Sequence, residues 1–250
     1  MKMTVDTKQN RRLHQEDRFF IDHLDSSNVF FGVFDGHGGE IAAEYAAANC
    51  SRIFRELLFG SNFAGLDILS EVIHILNFDL RHSYTGTTAS IVHLNEKQKF
   101  ANVAVIGDSP VIIKDADGKI WVAPEHNVRS NAAEAAAATA SEDGIIVDGY
   151  LFDARNLDGG GLQMSRALGD RDLDVVLNRE PEVFRISLAK NSWVLCGTDG
   201  ILDPGHKNTD QLVNNLATLI DVNSVAADDV IQSAISAGSH DNATAILIRL

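Results

Sequence analysis

Apolar, β-branched and aromatic residues along this chain are gathered into short unbroken runs, and four of these meet an aspartate beside a glycine or asparagine. Val29 to Phe34 runs into Asp35-Gly36, Ala101 to Ile106 into Gly107-Asp108, and Trp193 to Cys196 into Asp199-Gly200. In the fourth the order reverses, and Asp241-Asn242 precedes the run Ala245 to Ile248. Runs of this length and composition predict buried strands bounded by turns. Further strands are predicted over 19–22, 85–92, 121–122, 144–152, 184–188 and 244–249, with 99–113 forming two strands joined at Gly107-Asp108-Ser109-Pro110. Helical periodicity covers 38–58, with Ile41, Tyr45, Ile53, Leu57 and Leu58 on one side, and then 66–81, 210–220 and 225–237. The alanine-dominated stretch 132–140 predicts a short helix from propensity alone. Strands in bulk, with two long helices early and two late, predict an α+β fold: a four-layer α-β-β-α sandwich of two antiparallel sheets flanked by helices. Nothing resembling a linker, charge block or repeat divides the 250 residues, so 1–250 reads as a single domain.

An aspartate at the end of a buried strand lies at the rim of the core. Several such rims on neighbouring strands bring carboxylates to one place, where they repel unless a cation or bound protons neutralise them. Carboxylate and backbone oxygens are the ligands that magnesium, calcium and manganese prefer. Each Asp-Gly or Asp-Asn pair taken alone is a common turn; four at strand ends point to a site.

Composition narrows the picture. A net charge of −14 argues against general binding to nucleic acid or to anionic membranes, both of which repel such a surface. Cys50 and Cys196 lie in apolar stretches without metal-ligand spacing and read as buried thiols, which suits a reducing compartment. The first ten residues lack the apolar core of a signal peptide, and no apolar run reaches membrane-spanning length, so an intracellular location, cytoplasmic or nuclear, is expected.

Two segments add chemistry. In Asp35-Gly36-His37-Gly38-Gly39 the glycines permit a sharp turn, and His37 beside a metal-binding aspartate suits a proton donor. Glu16-Asp17 offers adjacent carboxylates which, in an extended segment, face opposite ways, one to the site and one behind it. Arg12, four residues before Glu16, shares its face there and could make paired hydrogen bonds to a phosphate.

Arg12-Leu-His-Gln-Glu16-Asp17, Phe34-Asp-Gly-His-Gly-Gly39, Thr85-Gly-Thr-Thr-Ala89, Gly107-Asp-Ser109, Leu162-Gln-Met-Ser-Arg-Ala-Leu-Gly-Asp170, Pro181-Glu-Val183, Thr198-Asp-Gly-Ile-Leu-Asp203 and Asp241-Asn242 follow one another from residue 9 almost to the end. In order and spacing this series resembles the metal-dependent protein phosphatases of type 2C. The resemblance implies a β-sandwich with two magnesium or manganese ions at one edge. It implies that Asp35 bridges both ions, that Glu16 and the Gly36 carbonyl complete one shell, and that Asp199 and Asp241 hold the second ion. Asp17 becomes the carboxylate just behind, Arg12 the phosphate-binding arginine, His37 the general acid, and Asp108 with Asp203 the ligands of a weaker third metal. The implied reaction is in-line attack by metal-activated water on phosphoserine or phosphothreonine in protein substrates, without a covalent intermediate. A monomer without a regulatory domain is expected.

The chain departs from the family pattern at Pro110 and His240, where arginines are usual, and over 124–144, where Glu125-His126-Asn127 and a run of alanines replace the pattern around the flap. These departures bear on substrate selection. Two other readings keep the same fold: a catalytically silent binding module, whose signature is loss of the metal carboxylates, and a hydrolase of small phosphate esters, whose site chemistry is the same.

Overall fold

The computed structural model describes residues 1–60, 65–202, 209–222 and 224–250. The chain runs through β1 (Lys2–Lys8), β2 (Arg18–His23), β3 (Asn28–Phe34), β4 (Gly36–His37), α1 (Ile41–Gly60), α2 (Leu66–Leu80), β5 (Gly86–Thr87), β6 (Ala89–Asn95) and β7 (Phe100–Ile106). It continues through β8 (Val111–Lys114), β9 (Ile120–Val122), α3 (Ala132–Ala138), β10 (Gly144–Val147), β11 (Tyr150–Asp153) and β12 (Leu168–Gly169). The last elements are β13 (Glu182–Ser187), β14 (Trp193–Gly197), α4 (Thr209–Ile220), α5 (Ala227–Ala237) and β15 (Ala243–Arg249).

Two five-stranded antiparallel sheets, β1-β15-β14-β8-β9 and β13-β7-β6-β3-β2, pack face to face. Phe31, Val33, Val103, Val194, Cys196 and Ile246 are among the side chains that fill the space between them. On the outer face of the second sheet α1 and α2 bury Phe54, Leu69, Ile73 and Leu76 against Phe30 and Ile91, with the Phe30 and Phe54 rings stacked at 4.0 Å. On the outer face of the first, α4 and α5 bury Leu216, Ile220, Val230 and Ile231 against Leu195 and Leu247. Strands covered on both faces need apolar residues at every position, which is why these segments read as continuous runs. The predicted four-layer sandwich is the fold observed.

Four details differ from the sequence reading. The strand β1 was not expected: it is half-buried, pairing with β15 from Lys2↔Arg249 to Lys8↔Ala243, and its charged alternate positions hide the pattern. The α1 face is built of small residues, Ala42, Ala43, Ala46 and Cys50, while Ile41 is exposed. The 144–152 stretch is a hairpin, turned at Asp148 (φ 52°) and Gly149 (φ 81°). Finally, 85–92 breaks at Thr88, so that Gly86–Thr87 joins a small sheet, β12-β5-β4, and Ala89–Asn95 joins the sandwich.

The link from β7 to β8 was expected, and it crosses from one sheet to the other, so Gly107-Asp108 lies where the two sheets meet. No helix among the described residues is long and apolar enough to cross a membrane.

His93, between the rings of Phe54 and Phe100, has its pKa lowered to about 4, first by burial and then by Arg185. Its folded pKa lies below its unfolded value of 6.5, so as pH falls below 6.5 the unfolded chain takes up the proton first and stability is lost until about 4. We expect the stability difference between wild type and His93→Gln, measured by urea unfolding, to shift by about 2 kcal/mol against wild type between about pH 7 and 4.5. A pH-independent difference would contradict this.

Candidate metal and phosphate site

Strand ends and crossings converge at one edge of the sandwich. Asp35 follows β3, Asp199 stands just beyond β14, Asp241 just before β15, and Asp108 in the crossing from β7 to β8. With Arg12 and Glu16 from the irregular segment between β1 and β2, and with Gly36 and His37, they line a cavity of about 510 Å³. The segment carrying Arg12 and Glu16 is not extended as expected: it turns at Asn10 (φ 51°) and bends over 12–14, and both residues reach the cavity by that route. Asp203 lies outside the described residues. Neither Pro110 nor His240 is among the residues lining the cavity.

Backbone hydrogen bonds fix the acidic residues. The Asp35 N–H donates to Thr88 Oγ1 at 3.0 Å, and its carbonyl accepts from Thr88 N at 2.9 Å and from Thr87 Oγ1 at 3.0 Å. The break in the predicted 85–92 strand therefore serves to clamp Asp35. Asn242 staples the Arg12–Glu16 segment: its Oδ1 accepts the Glu16 N–H at 2.9 Å, and its Nδ2 donates to the carbonyls of Gln9 at 2.9 Å and His14 at 3.0 Å. Sequence reading had placed Asn242 in a motif without a task; no local signal shows that its partners lie more than 220 residues away. Close backbone approach accounts for two glycines. A Cβ on Gly36 would lie 2.7 Å from the Glu16 carbonyl oxygen, and one on Gly200 would lie 1.9 Å from that of Asn242.

The electrostatics follow from this crowding. Burial, and then Asp199, Asp17, Asp108 and Asp241 in turn, push the Asp35 pKa well above the usual carboxylate range. Asp17 lies behind the cavity wall, where burial raises its pKa to about 7 against the opposing effect of hydroxyls from Thr244 and Thr198, each 2.8 Å from Oδ2. Its Oδ1 is buried without a hydrogen-bond partner among the described residues. Arg12 Nη2 meets Asp241 Oδ2 at 2.5 Å. Clustered carboxylates, all oxygen donors, together with an orphaned buried carboxylate oxygen, fit hard divalent cations and what those cations order around them.

His37 lines the cavity with Nε2 2.7 Å from Asp170 Oδ2, while Nδ1 is covered and has no partner among the described residues. Asp170 had been part of a motif without an assigned role. The sheet β12-β5-β4 brings the two together, since Asp170 directly follows β12 and His37 ends β4.

A second acidic group sits apart from this cavity. Glu134, buried at the start of α3, pairs with the Arg166 guanidinium at 2.6 Å, and Glu182 lies 3.4 Å from the same nitrogen. With His126 these carboxylates offer three ligand atoms within 4.8 Å of one another, but the guanidinium already supplies the positive charge there. The pair ties α3 to the Ser165-Arg166-Ala167 stretch, a contact between distant residues that sequence reading did not find.

Comparison with known proteins agrees with this geometry. A family model described as Protein phosphatase 2C matches residues 1–243. The bovine (Bos taurus) Protein phosphatase 1L is 27% identical over 263 residues, covering 96% of this chain and 70% of its own. A C. elegans sex-determining protein superposes with a TM-score of 0.78 at 24% identity, over 98% of this chain and 64% of that one. The catalytic domain of the serine/threonine phosphatase PstP, solved with two manganese ions, superposes with a TM-score of 0.65 at 17% identity, over 98% and 96%. The chain thus spans about two thirds of the length of the first two. With the acidic cavity and the matched motifs in place, the chain belongs to the protein phosphatase 2C family of metal-dependent serine/threonine protein phosphatases.

Proposed function

We propose that this chain hydrolyses phosphoserine and phosphothreonine esters in proteins with two magnesium or manganese ions held in the acidic cavity. The observation that carries this reading is the convergence of Arg12, Glu16, Asp35, Asp199 and Asp241 on one cavity of about 510 Å³. Glu16, Asp35 and the Gly36 carbonyl are assigned to one ion and Asp35, Asp199 and Asp241 to the other, a number matching the two manganese ions of the PstP domain. Asp108 is assigned to a weaker third. When bound, such ions supply a water nucleophile at neutral pH and counter-charge for the phosphoryl oxygens.

The remaining work falls to side chains of this protein. Arg12 spends one N–H on Asp241, which orients the guanidinium and leaves other N–H groups for the substrate phosphate. Asp17, fixed by Thr198 and Thr244, stands behind the ligands as a ready acceptor. The His37 ring is set by the Nε2 contact with Asp170, and its Nδ1 has no protein partner among the described residues. His37 is assigned as the donor of the proton that the departing seryl or threonyl oxygen takes up. Retention of all the carboxylates weighs against the silent binding module.

Hydrolysis of a phosphothreonine peptide is expected with added manganese or magnesium and is expected to stop in excess EDTA. Turnover of p-nitrophenyl phosphate alone would instead indicate a small-ester hydrolase. Asp199→Asn should lower turnover about 100-fold or more while the protein stays folded, since several kcal/mol of charge stabilisation goes with the carboxylate. Wild-type rates in that variant would refute the metal assignment.

Arg12→Ala should raise KM about tenfold or more, with a smaller change in kcat. An unchanged KM would remove Arg12 from phosphate binding. For His37→Ala, loss should be severe on the phosphopeptide and slight on p-nitrophenyl phosphate, whose leaving group needs no proton. Equal losses on both would exclude the proton-donor role.

A further inference from the structure

The cavity has a second arginine that the mechanism does not use. Arg129, in the loop after β9, lines the same space as Arg12, in a wall otherwise rich in carboxylates. Arg12 is committed to Asp241. Arg129 makes no ion pair with a carboxylate among the described residues, and its Nη1 donates only to the neutral Gln163 Oε1, at 3.3 Å.

Its exposed side chain has neighbours on two sides. Gln163 Nε2 donates to the Tyr150 hydroxyl at 3.0 Å, so the residues line up as Tyr150, Gln163, Arg129 along the cavity wall. The turn of the β10–β11 hairpin lies against the arginine. A Cβ on Gly149 would come within 2.8 Å of Arg129 Cγ and 2.9 Å of Nε, so only glycine lets the turn approach this closely. At its base the Arg129 N–H donates to Asn127 Oδ1 at 3.0 Å, and Asn127 Nδ2 donates to Asp108 Oδ2 at 2.9 Å. The Arg129 backbone is therefore tied through one residue to the acidic floor, while its side chain is exposed, with the turn against its stem and Gln163 at one tip nitrogen. A guanidinium with neutral partners and N–H groups to spare matches the planar geometry of a carboxylate or phosphate.

We propose that Arg129 is a second anion subsite, which takes an oxyanion carried by the substrate chain beside the scissile phosphoresidue. This rests on the phosphatase reading above. The oxyanion has two possible sources, an acidic side chain or a second phosphate, and both offer the same fork of oxygens. Such a subsite selects substrates that are acidic or multiply phosphorylated around the cleaved residue, and it acts through KM more than through kcat. It also places specificity in the part of the chain that departs from the family pattern.

The test compares three phosphothreonine peptides of one length: neutral flanks, glutamates flanking the phosphothreonine, and a second phosphothreonine nearby. In wild type, kcat/KM for a flanked peptide should exceed that for the neutral one by about fivefold, mainly through KM, and the preference should shrink with added salt. A preference for both flanked peptides assigns either oxyanion; a preference for the doubly phosphorylated peptide alone assigns a second phosphate. In Arg129→Ala the preference ratio should fall to near one, and in Arg129→Lys part of it should return. Gly149→Ala, which keeps the arginine but pushes its stem aside, should reduce the ratio as well. Equal kcat/KM for all three peptides in wild type, or a preference that survives Arg129→Ala, overturns the subsite and leaves the phosphatase reading standing. Absence of turnover on every peptide in folded, metal-supplied wild type overturns both together.

Discussion

Mutual repulsion among Glu16, Asp35, Asp108, Asp199 and Asp241, all lining one cavity, is the constraint that the rest of this structure answers. Burial disfavours the charged form of Asp35, and the neighbouring carboxylates Asp199, Asp17, Asp108 and Asp241 add to it, so its pKa is raised well above the usual carboxylate range. The fold resists it with backbone fixation. Asp35 is clamped on both its N–H and its carbonyl, Asn242 staples the segment that brings Glu16, and Asp17 is held by two threonine hydroxyls from β14's end and β15. Only a rigid sandwich keeps carboxylates together without rearrangement, and positive charge is then the remaining requirement. Arg12 supplies one such charge, and the divalent ions of the family supply the others.

The two-sheet architecture makes this possible geometrically. Strands β3, β14 and β15 reach the same edge, and the β7–β8 crossing passes between sheets beside them. Residues distant in the chain thus share one rim, and helices on both outer faces keep the sheets from sliding. The small β12-β5-β4 sheet adds a second layer of positioning by setting Asp170 against His37 and Thr87 against Asp35. The same short strands therefore position both a cavity-lining histidine and the clamp on Asp35.

Much of this was legible in the sequence because doubly covered strands leave an unmistakable run of apolar residues and because their ends carry acidic turns. Arg12, Glu16, Asp35, His37, Asp108, Asp199 and Asp241, singled out on that basis and on the family resemblance, all line one cavity. What escaped was determined by contacts between distant segments. The edge strand β1 shows no run because it is only half-buried and carries Lys2, Asp6 and Lys8 among its apolar positions. The break at Thr88 is invisible because a threonine-rich stretch reads as one strand. The exposure of Ile41 follows from which face of α1 meets the sheet, where alanines permit close packing. Asn242, the Glu134–Arg166 pair and the side-chain neighbours of Arg129 depend on partners far along the chain, and no local pattern announces them. His37 was legible as a residue but not in its orientation, since nothing near it in sequence points to Asp170.

The most direct measurement of the central claim is titration of metal-free protein with manganese by calorimetry, for wild type and Asp35→Asn. Two ions bound per wild-type chain, with both sites weakened by the single substitution, is the predicted result, because Asp35 is assigned to both ions. A wild-type protein that binds no manganese above the level of a denatured control, or an Asp35→Asn variant that binds two ions as tightly as wild type, would contradict it.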